Sequence, residues 1–257
     1  MLLAIDCGNT NIVFAVFDGD NLIGQWRSST KSDKTADEFG VWLTHLLNVE
    51  KIQATDITAA IIASVVPATK FTLISLCKRF FSCEPMLVGE GDLQLGIKIG
   101  LDRPEEAGAD RIVNAASAFQ KYQCPMIIID FGTATTFDVV DASGSYIGGV
   151  IAPGINLSLE ALHMAAAQLP RVDICKPDDV IGNGTISAMQ SGVYWGYVGL
   201  IEGLVSRIEK QMGRKMKVIA TGGLASLFIE ATDVIDHLEN NLTITGLLEI
   251  YKRNKAV

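Results

Sequence analysis

Two polar turns carry the residue types that phosphate chemistry requires. Asp6-Cys7-Gly8-Asn9-Thr10 follows the apolar run Leu2 to Ile5, and Asp130-Phe131-Gly132-Thr133-Ala134-Thr135 ends the apolar run that begins at Met126. Glycine lets backbone approach a phosphate closely, while threonine hydroxyls and turn N–H groups donate to its oxygens. An aspartate at a strand end can hold a cation, directly or through water, that offsets phosphate charge. A single turn of this kind also suits an ordinary hairpin, because Asp, Gly and Asn form turns well. Two of them at equivalent places in a repeat favour the phosphate reading.

Other segments are ambiguous alone. Gly108-Ala109-Asp110-Arg111 opens an amphipathic helix bearing Ile112, Val113 and Ala116. Asp110 there is either a helix-start partner or a general base for an acceptor hydroxyl. Arg111 is either a surface ion-pair residue or an anion clamp. Thr221-Gly222-Gly223 could admit an adenine or ribose against backbone, or simply turn a strand into a helix. Gly148-Gly149 through Pro153-Gly154 is a turn-rich connection or part of a cleft floor.

The elements that must position these residues are legible from periodicity. Leu2 to Ile5, Ile12 to Phe17 and Leu22 to Trp26 read as three consecutive antiparallel strands, with Asp18-Gly19 turning the second into the third. Thr35 with Glu38 forms a capping box opening a helix through about Asn48, with Phe39, Trp42, Leu43 and Leu46 on one face. Ala60 to Val66 reads as a strand ending at Pro67, followed by a helix to about Phe81. A constant offset of 124 residues (Asp130 after Asp6) lays the second turn on the first. Gly132 then falls on Gly8, Thr133-Ala134 on Asn9-Thr10, and Ile147-Gly148 on Ile23-Gly24. A repeat of half the chain length predicts a duplicated α/β unit, with halves 1–117 and 118–257 and their two hairpins facing each other across a cleft.

Composition narrows the class. Apolar residues make up 49% and charged residues 19% of 257, enough for a substantial core. A net charge of −8 argues against a nucleic-acid partner but not against a nucleotide. Five cysteines without a CxxC pair fit reduced thiols rather than a disulfide framework or zinc site. With neither a signal peptide nor a run of membrane-spanning length, the expected location is cytoplasmic, with no membrane partner. No GxxxxGK[ST] or GxGxxG motif occurs, which disfavours a P-loop enzyme and a Rossmann dehydrogenase. Ser28-x-x-Lys31 lacks the companion motifs of a serine hydrolase.

Taken in order, these segments resemble the type III pantothenate kinases of the acetate kinase/sugar kinase/Hsp70/actin superfamily. The resemblance runs through Asp6-x-Gly8-Asn9-Thr10, Lys34-Thr35-Ala36-Asp37-Glu38, Ser64-Val65-Val66-Pro67, Gly108-Ala109-Asp110-Arg111 and Asp130 to Thr136. It continues through Gly148-Gly149 to Pro153-Gly154, Gln168-Leu169-Pro170, Ile181-Gly182 to Thr185, Ser191-Gly192 and Thr221-Gly222-Gly223. It implies duplicated ribonuclease H-like (actin-like ATPase) halves, each a mixed sheet with helices. It also implies ATP-dependent phosphorylation of pantothenate, the first step of coenzyme A biosynthesis. ATP would be bound by Asp6, Cys7, Gly8, Asn9, Thr10, Asn11, Ile12, Val13 and Thr133, with Mg²⁺ near Asp6 and a monovalent cation (K⁺ or NH₄⁺) on Asp130. Pantothenate would be held by Gly108, Ala109, Asp110, Arg111 and Thr185, with Asp110 as general base and Arg111 on the carboxylate. A homodimer is implied, with Thr185 acting across subunits. One departure is that Leu101 and Arg103 stand where the family usually carries Tyr and Asn before the proline, here Pro104.

Overall fold

The structure is a computed structural model that describes residues 1–31, 33–165 and 170–255; the Gln168-Leu169 pair of the resemblance lies outside them. The chain forms two compact units. One comprises Met1–Lys121 and the C-terminal segment from Leu242, the other Tyr122–Asn241.

In the first unit, strands β1 (Leu2–Cys7), β2 (Asn11–Asp18) and β3 (Asn21–Ser29) run antiparallel, and β4 (Ala59–Ser64) and β5 (Pro85–Leu87) add parallel strands beyond β1. The sheet order is β3-β2-β1-β4-β5. As the central strand β1 is covered on both faces, so its sequence is apolar at nearly every position instead of alternating. Leu3, Ile5 and Cys7 pack under α1 (Ala36–Val49) and α2 (Pro67–Phe81). Leu2 and Ala4 point the other way, under α3 (Ala109–Tyr122) and α7 (Leu242–Lys255). The Thr35–Glu38 capping box is present at the start of α1, and α2 begins on Pro67, where a missing N–H costs nothing. A two-residue strand, β6 (Lys98–Ile99), lies on the path from β5 to α3.

The second unit repeats this plan. Strands β7 (Met126–Phe131), β8 (Ala134–Val140) and β9 (Ser145–Pro153) are antiparallel, and β10 (Lys217–Thr221) and β11 (His237–Leu238) continue parallel from β7. Its strands run β9-β8-β7-β10-β11, the same order as the first sheet. Helix α4 (Ile155–Ala165), the long α5 (Thr185–Met212) and the single-turn α6 (Ala225–Phe228) complete it. Tyr194, Tyr197, Val198, Ile201 and Val205 of α5 bury Ile127, Ile129, Phe131 and Phe137 of the sheet.

The duplication is closer than the constant offset suggested, and it differs in one place. Met126 follows Leu2, and Ser145 follows Asn21, by 124 residues each, so β7 and β9 match β1 and β3 end for end. Between them β8 lags by 123: Ala134 corresponds to Asn11, and the bulge at Val139/Val140 corresponds to that at Val16/Phe17. The second phosphate-type turn is therefore one residue shorter, and the residue is restored in the hairpin at Gly144, where φ is +74°. Ala134 is thus not the counterpart of Thr10, as the offset implied, but a strand residue. The unit boundaries also depart from the expected 1–117 and 118–257. Leu242, Ile244, Leu247 and Leu248 of α7 bury their apolar face against Leu2, Ala4, Ile61 and Val113, which returns the last helix to the first unit.

Candidate active site

The first turn is closed by Gly8 N–H donating to Asn11 O at 3.0 Å. Thr30, just beyond β3, braces it: its hydroxyl donates to Gly8 O at 2.7 Å and its N–H to Thr10 O at 2.8 Å. With those carbonyls engaged from the third strand, Asn9, Thr10 and Asn11 are exposed at the tip. Cys7 and Ile12, two of the expected ATP-binding positions, point into the core and could serve a nucleotide through backbone only. The Cys7 sulfur lies 3.1 Å from Thr69 Oγ1, and burial pushes its thiol pKa up, which disqualifies it as a nucleophile. Val13 is half-buried on β2, opposite Asp6.

Asp6 is half-buried and alternates with Ala4 onto the face covered by α3. There β1 and β4 run parallel, Asp6 beside Ala63, and Val65 N–H donates to Cys7 O at 3.1 Å. Carboxyl ends of adjacent parallel strands are where ligands bind in open α/β sheets. The start of α3 lies at the same place: a Cβ added to Gly108 would meet Val65 Cγ1 at 3.6 Å and Asp110 Oδ1 at 2.7 Å. A side chain at 108 would therefore displace Asp110. Asp110 Oδ1 accepts from Arg111 N–H at 2.7 Å, and both residues are half-buried. The structure thus gathers Asp6, the Gly8 turn and Gly108–Arg111 within the first unit. Arg103, one of the departures, forms an ion pair with Glu106, and both side chains are largely exposed.

In the second unit, Gly132 N–H donates to Ala134 O at 3.1 Å, leaving Gly132 and Thr133 as an exposed tip. Two glycines crowd this turn, and neither contact is visible in local sequence. Gly154 N–H donates to Thr133 O at 3.1 Å, and a Cβ on Gly154 would collide with Thr133 O and come within 2.7 Å of Gly132 O. Gly154 in turn accepts from Ser158 N–H at 2.9 Å at the start of α4, so a helix N-terminus adjoins the turn. Gly222, with φ at +93°, presses on Asp130: an added Cβ would meet Asp130 Oδ1 at 2.5 Å and Phe131 N at 2.6 Å. Thr221 is the parallel-strand partner of Asp130, and its hydroxyl donates to Glu239 O at 2.7 Å. The Thr221-Gly222-Gly223 segment is therefore built against Asp130. The neighbouring Thr135 is structural: it is buried and hydrogen-bonded to Tyr197, whose phenol donates to Pro153 O at 3.1 Å. Burial pushes the Tyr197 phenol pKa up.

Thr185 is the exposed first residue of α5 and lines an apolar cavity of about 850 Å³, with Pro153, Ser158, Met189, Gly192 and Tyr197. Among the described residues no group of three or more His, Cys, Asp or Glu side chains could hold a metal. The donor set suits Mg²⁺ held by one carboxylate plus substrate phosphates, not a protein-only cage.

The profile of the type III pantothenate kinase family matches residues 2–207. The chain belongs to that family. It is 66% identical over 256 residues to the type III pantothenate kinase of Paramagnetospirillum magneticum, covering 100% of this chain and 98% of that protein. The type III pantothenate kinase of Rhodospirillum rubrum is 63% identical over 255 residues, covering 99% of each. Among solved structures, one described as a Baf family transcriptional activator from Campylobacter jejuni superposes with a TM-score of 0.64 at 17% identity, covering 99% of this chain and 100% of that one. One described as a 2-dehydro-3-deoxygalactonokinase from Sinorhizobium meliloti gives 0.60 at 12% identity, covering 98% and 96%. At such identities the likeness shows the fold alone: the chain has duplicated ribonuclease H-like halves. Membership makes it an ATP-dependent kinase of coenzyme A biosynthesis.

Proposed function

We propose that the chain transfers the γ-phosphoryl group of ATP to the 4′-hydroxyl of pantothenate. The observation that carries this reading is the position of Asp110, at the start of α3 on the sheet face that receives Asp6, where Gly108 packs close to Val65, whose N–H donates to Cys7 O just before the braced Gly8 turn. Phosphoryl transfer needs positioning and charge neutralisation more than covalent help. Backbone of Asp6 to Val13 and the hydroxyl of Thr133 hold the ATP phosphates. Asp6 would hold Mg²⁺ and Asp130 the monovalent cation, K⁺ or NH₄⁺; each would supply positive charge to offset that of the phosphates. Gly108 to Arg111 hold pantothenate, the Arg111 guanidinium pairing with its carboxylate. The Asp110 carboxylate takes the hydroxyl proton as the new O–P bond forms and ADP leaves with the electron pair of the broken bond.

Exposed Leu162 lines the cavity of Thr185, and Leu157, Met164 and Ile186 on the same two helices, α4 and α5, are also exposed, apolar surface that a second copy would cover. In that homodimer Thr185 reaches pantothenate across subunits. Among the described residues no helix is long and apolar enough to cross a membrane; the proposed compartment is the cytoplasm. Mass spectrometry of the product tests the reading. 4′-Phosphopantothenate formed from ATP and pantothenate is expected, and unmodified pantothenate beside accumulating ADP would make the chain a hydrolase instead.

A further inference from the structure

A fully buried carboxylate, Asp138, lies in the second sheet one alternation behind the site. Its Oδ1 accepts from Tyr146 Oη at 2.9 Å and its Oδ2 from Thr136 Oγ1 at 2.9 Å. Phe137 and Val139 face α5, so Thr136 and Asp138 face the opposite side of β8. Asp130 faces that side too, because its neighbours Ile129 and Phe131 are in the α5 core. The antiparallel register places Thr136 directly opposite Asp130. Residues so paired have Cβ atoms about 4.5–5.5 Å apart.

A threonine hydroxyl has one proton and two lone pairs. Thr136 gives its proton to Asp138, so what it can offer on the Asp130 side is an acceptor oxygen. A buried charge is costly to keep unless fully hydrogen-bonded, and an apolar residue would fill this core position without that cost. Gly222 closes on Asp130 from the other neighbouring strand, β10. Asp130 is therefore flanked by a backbone that admits no side chain and a hydroxyl fixed as an acceptor.

We propose that Thr136 Oγ1 is a further oxygen ligand for the monovalent cation at Asp130, with Asp138 and Tyr146 as positioning residues that hold its lone pairs outward. The inference rests on the assignment of that cation to Asp130. Removing a partner behind a ligand typically weakens metal affinity about 10–100-fold.

The test is thermal denaturation of the full chain in titrations of KCl against NaCl at constant ionic strength, without substrates. Wild type is expected to gain melting temperature specifically with K⁺. Thr136→Val should require at least about 10-fold more K⁺ for half of that gain, whereas Thr136→Ser, which keeps the oxygen, should respond like wild type. Tyr146→Phe should fall between them. If wild type gains and Thr136→Val titrates identically, the relay is overturned while the Asp130 assignment stands. A Thr136→Val protein merely less stable in both salts, with its K⁺ midpoint unmoved, overturns it equally. Absence of any K⁺-specific gain in wild type overturns the Asp130 assignment and the relay together.

Discussion

Replacing Gly222 by alanine tests whether the Thr221-Gly222-Gly223 turn is part of the Asp130 site. The glycine has φ at +93°, and the new Cβ would meet Asp130 Oδ1 at 2.5 Å, Phe131 N at 2.6 Å and Phe131 O at 2.7 Å. Holding an L-residue at such a φ costs roughly 1–2 kcal/mol. Two of the three contacts are backbone of the central strand β7, which cannot swing aside as a side-chain tip can. Forced shifts of this kind cost about 1–3 kcal/mol. Together the change should destabilise by about 2–5 kcal/mol, at about 2–4 °C of melting temperature per kcal/mol for a chain of this size. The movable atom is the Asp130 carboxylate, so the part of the strain that is relieved appears as a displaced cation ligand. Differential scanning calorimetry and the ATP dependence of the rate, each in K⁺ and Na⁺, should show a lower melting point and a weakened K⁺ response. A variant with wild-type melting temperature and an intact K⁺ response would refute the packing of Gly222 on Asp130.

Three other outcomes are expected. Asp110→Asn should leave ATP binding, measured by calorimetric titration, nearly intact while turnover falls by about 10²–10⁴-fold; near wild-type turnover would remove Asp110 as the base. Thr30→Val removes the hydroxyl that holds Gly8 O, a loss of about 0.5–1.5 kcal/mol; steady-state kinetics should show a raised KM for ATP, with the KM for pantothenate little changed. Burial pushes the Cys77 thiol from the usual value of 9.0 up to about 12. Above pH 9 the unfolded chain has lost that proton and the folded chain has kept it, so the stabilisation is complete below pH 9 and declines as pH rises towards 12. Urea unfolding under reducing conditions should show stability falling over that window more steeply in wild type than in Cys77→Ala.

Local features were legible because their causes are local. The capping box at Thr35, the proline that starts α2 and the apolar runs of β1 and β7 each depend on a handful of adjacent residues. The duplication was legible for the same reason: β1 and β7, and β3 and β9, keep one spacing. The shortened second turn was not, because the deletion at Gly132-Thr133 and the compensating residue near Gly144 cancel outside β8. Nor were the tertiary contacts of the site. Gly222 meets Asp130, and Gly154 meets Thr133, across strand pairings that leave no periodic trace. From local sequence alone, Asp110 reads more readily as a helix-start residue than as a base. Gly108, two residues before it, packs close to Val65, whose N–H donates to Cys7 O at the end of β1, a link to the first turn that the spacing between residues 6 and 110 does not reveal. Likewise, the return of α7 to the first sheet depends on which apolar face remained uncovered there, a property of the assembled core.

The central claim, pantothenate as the phosphoryl acceptor, is tested most directly by coupled ADP release with ATP and Mg²⁺, with and without pantothenate, in K⁺ and then in Na⁺ buffer. The expected result is release that requires pantothenate and is faster in K⁺. Equal ADP release in the presence and absence of pantothenate would contradict it.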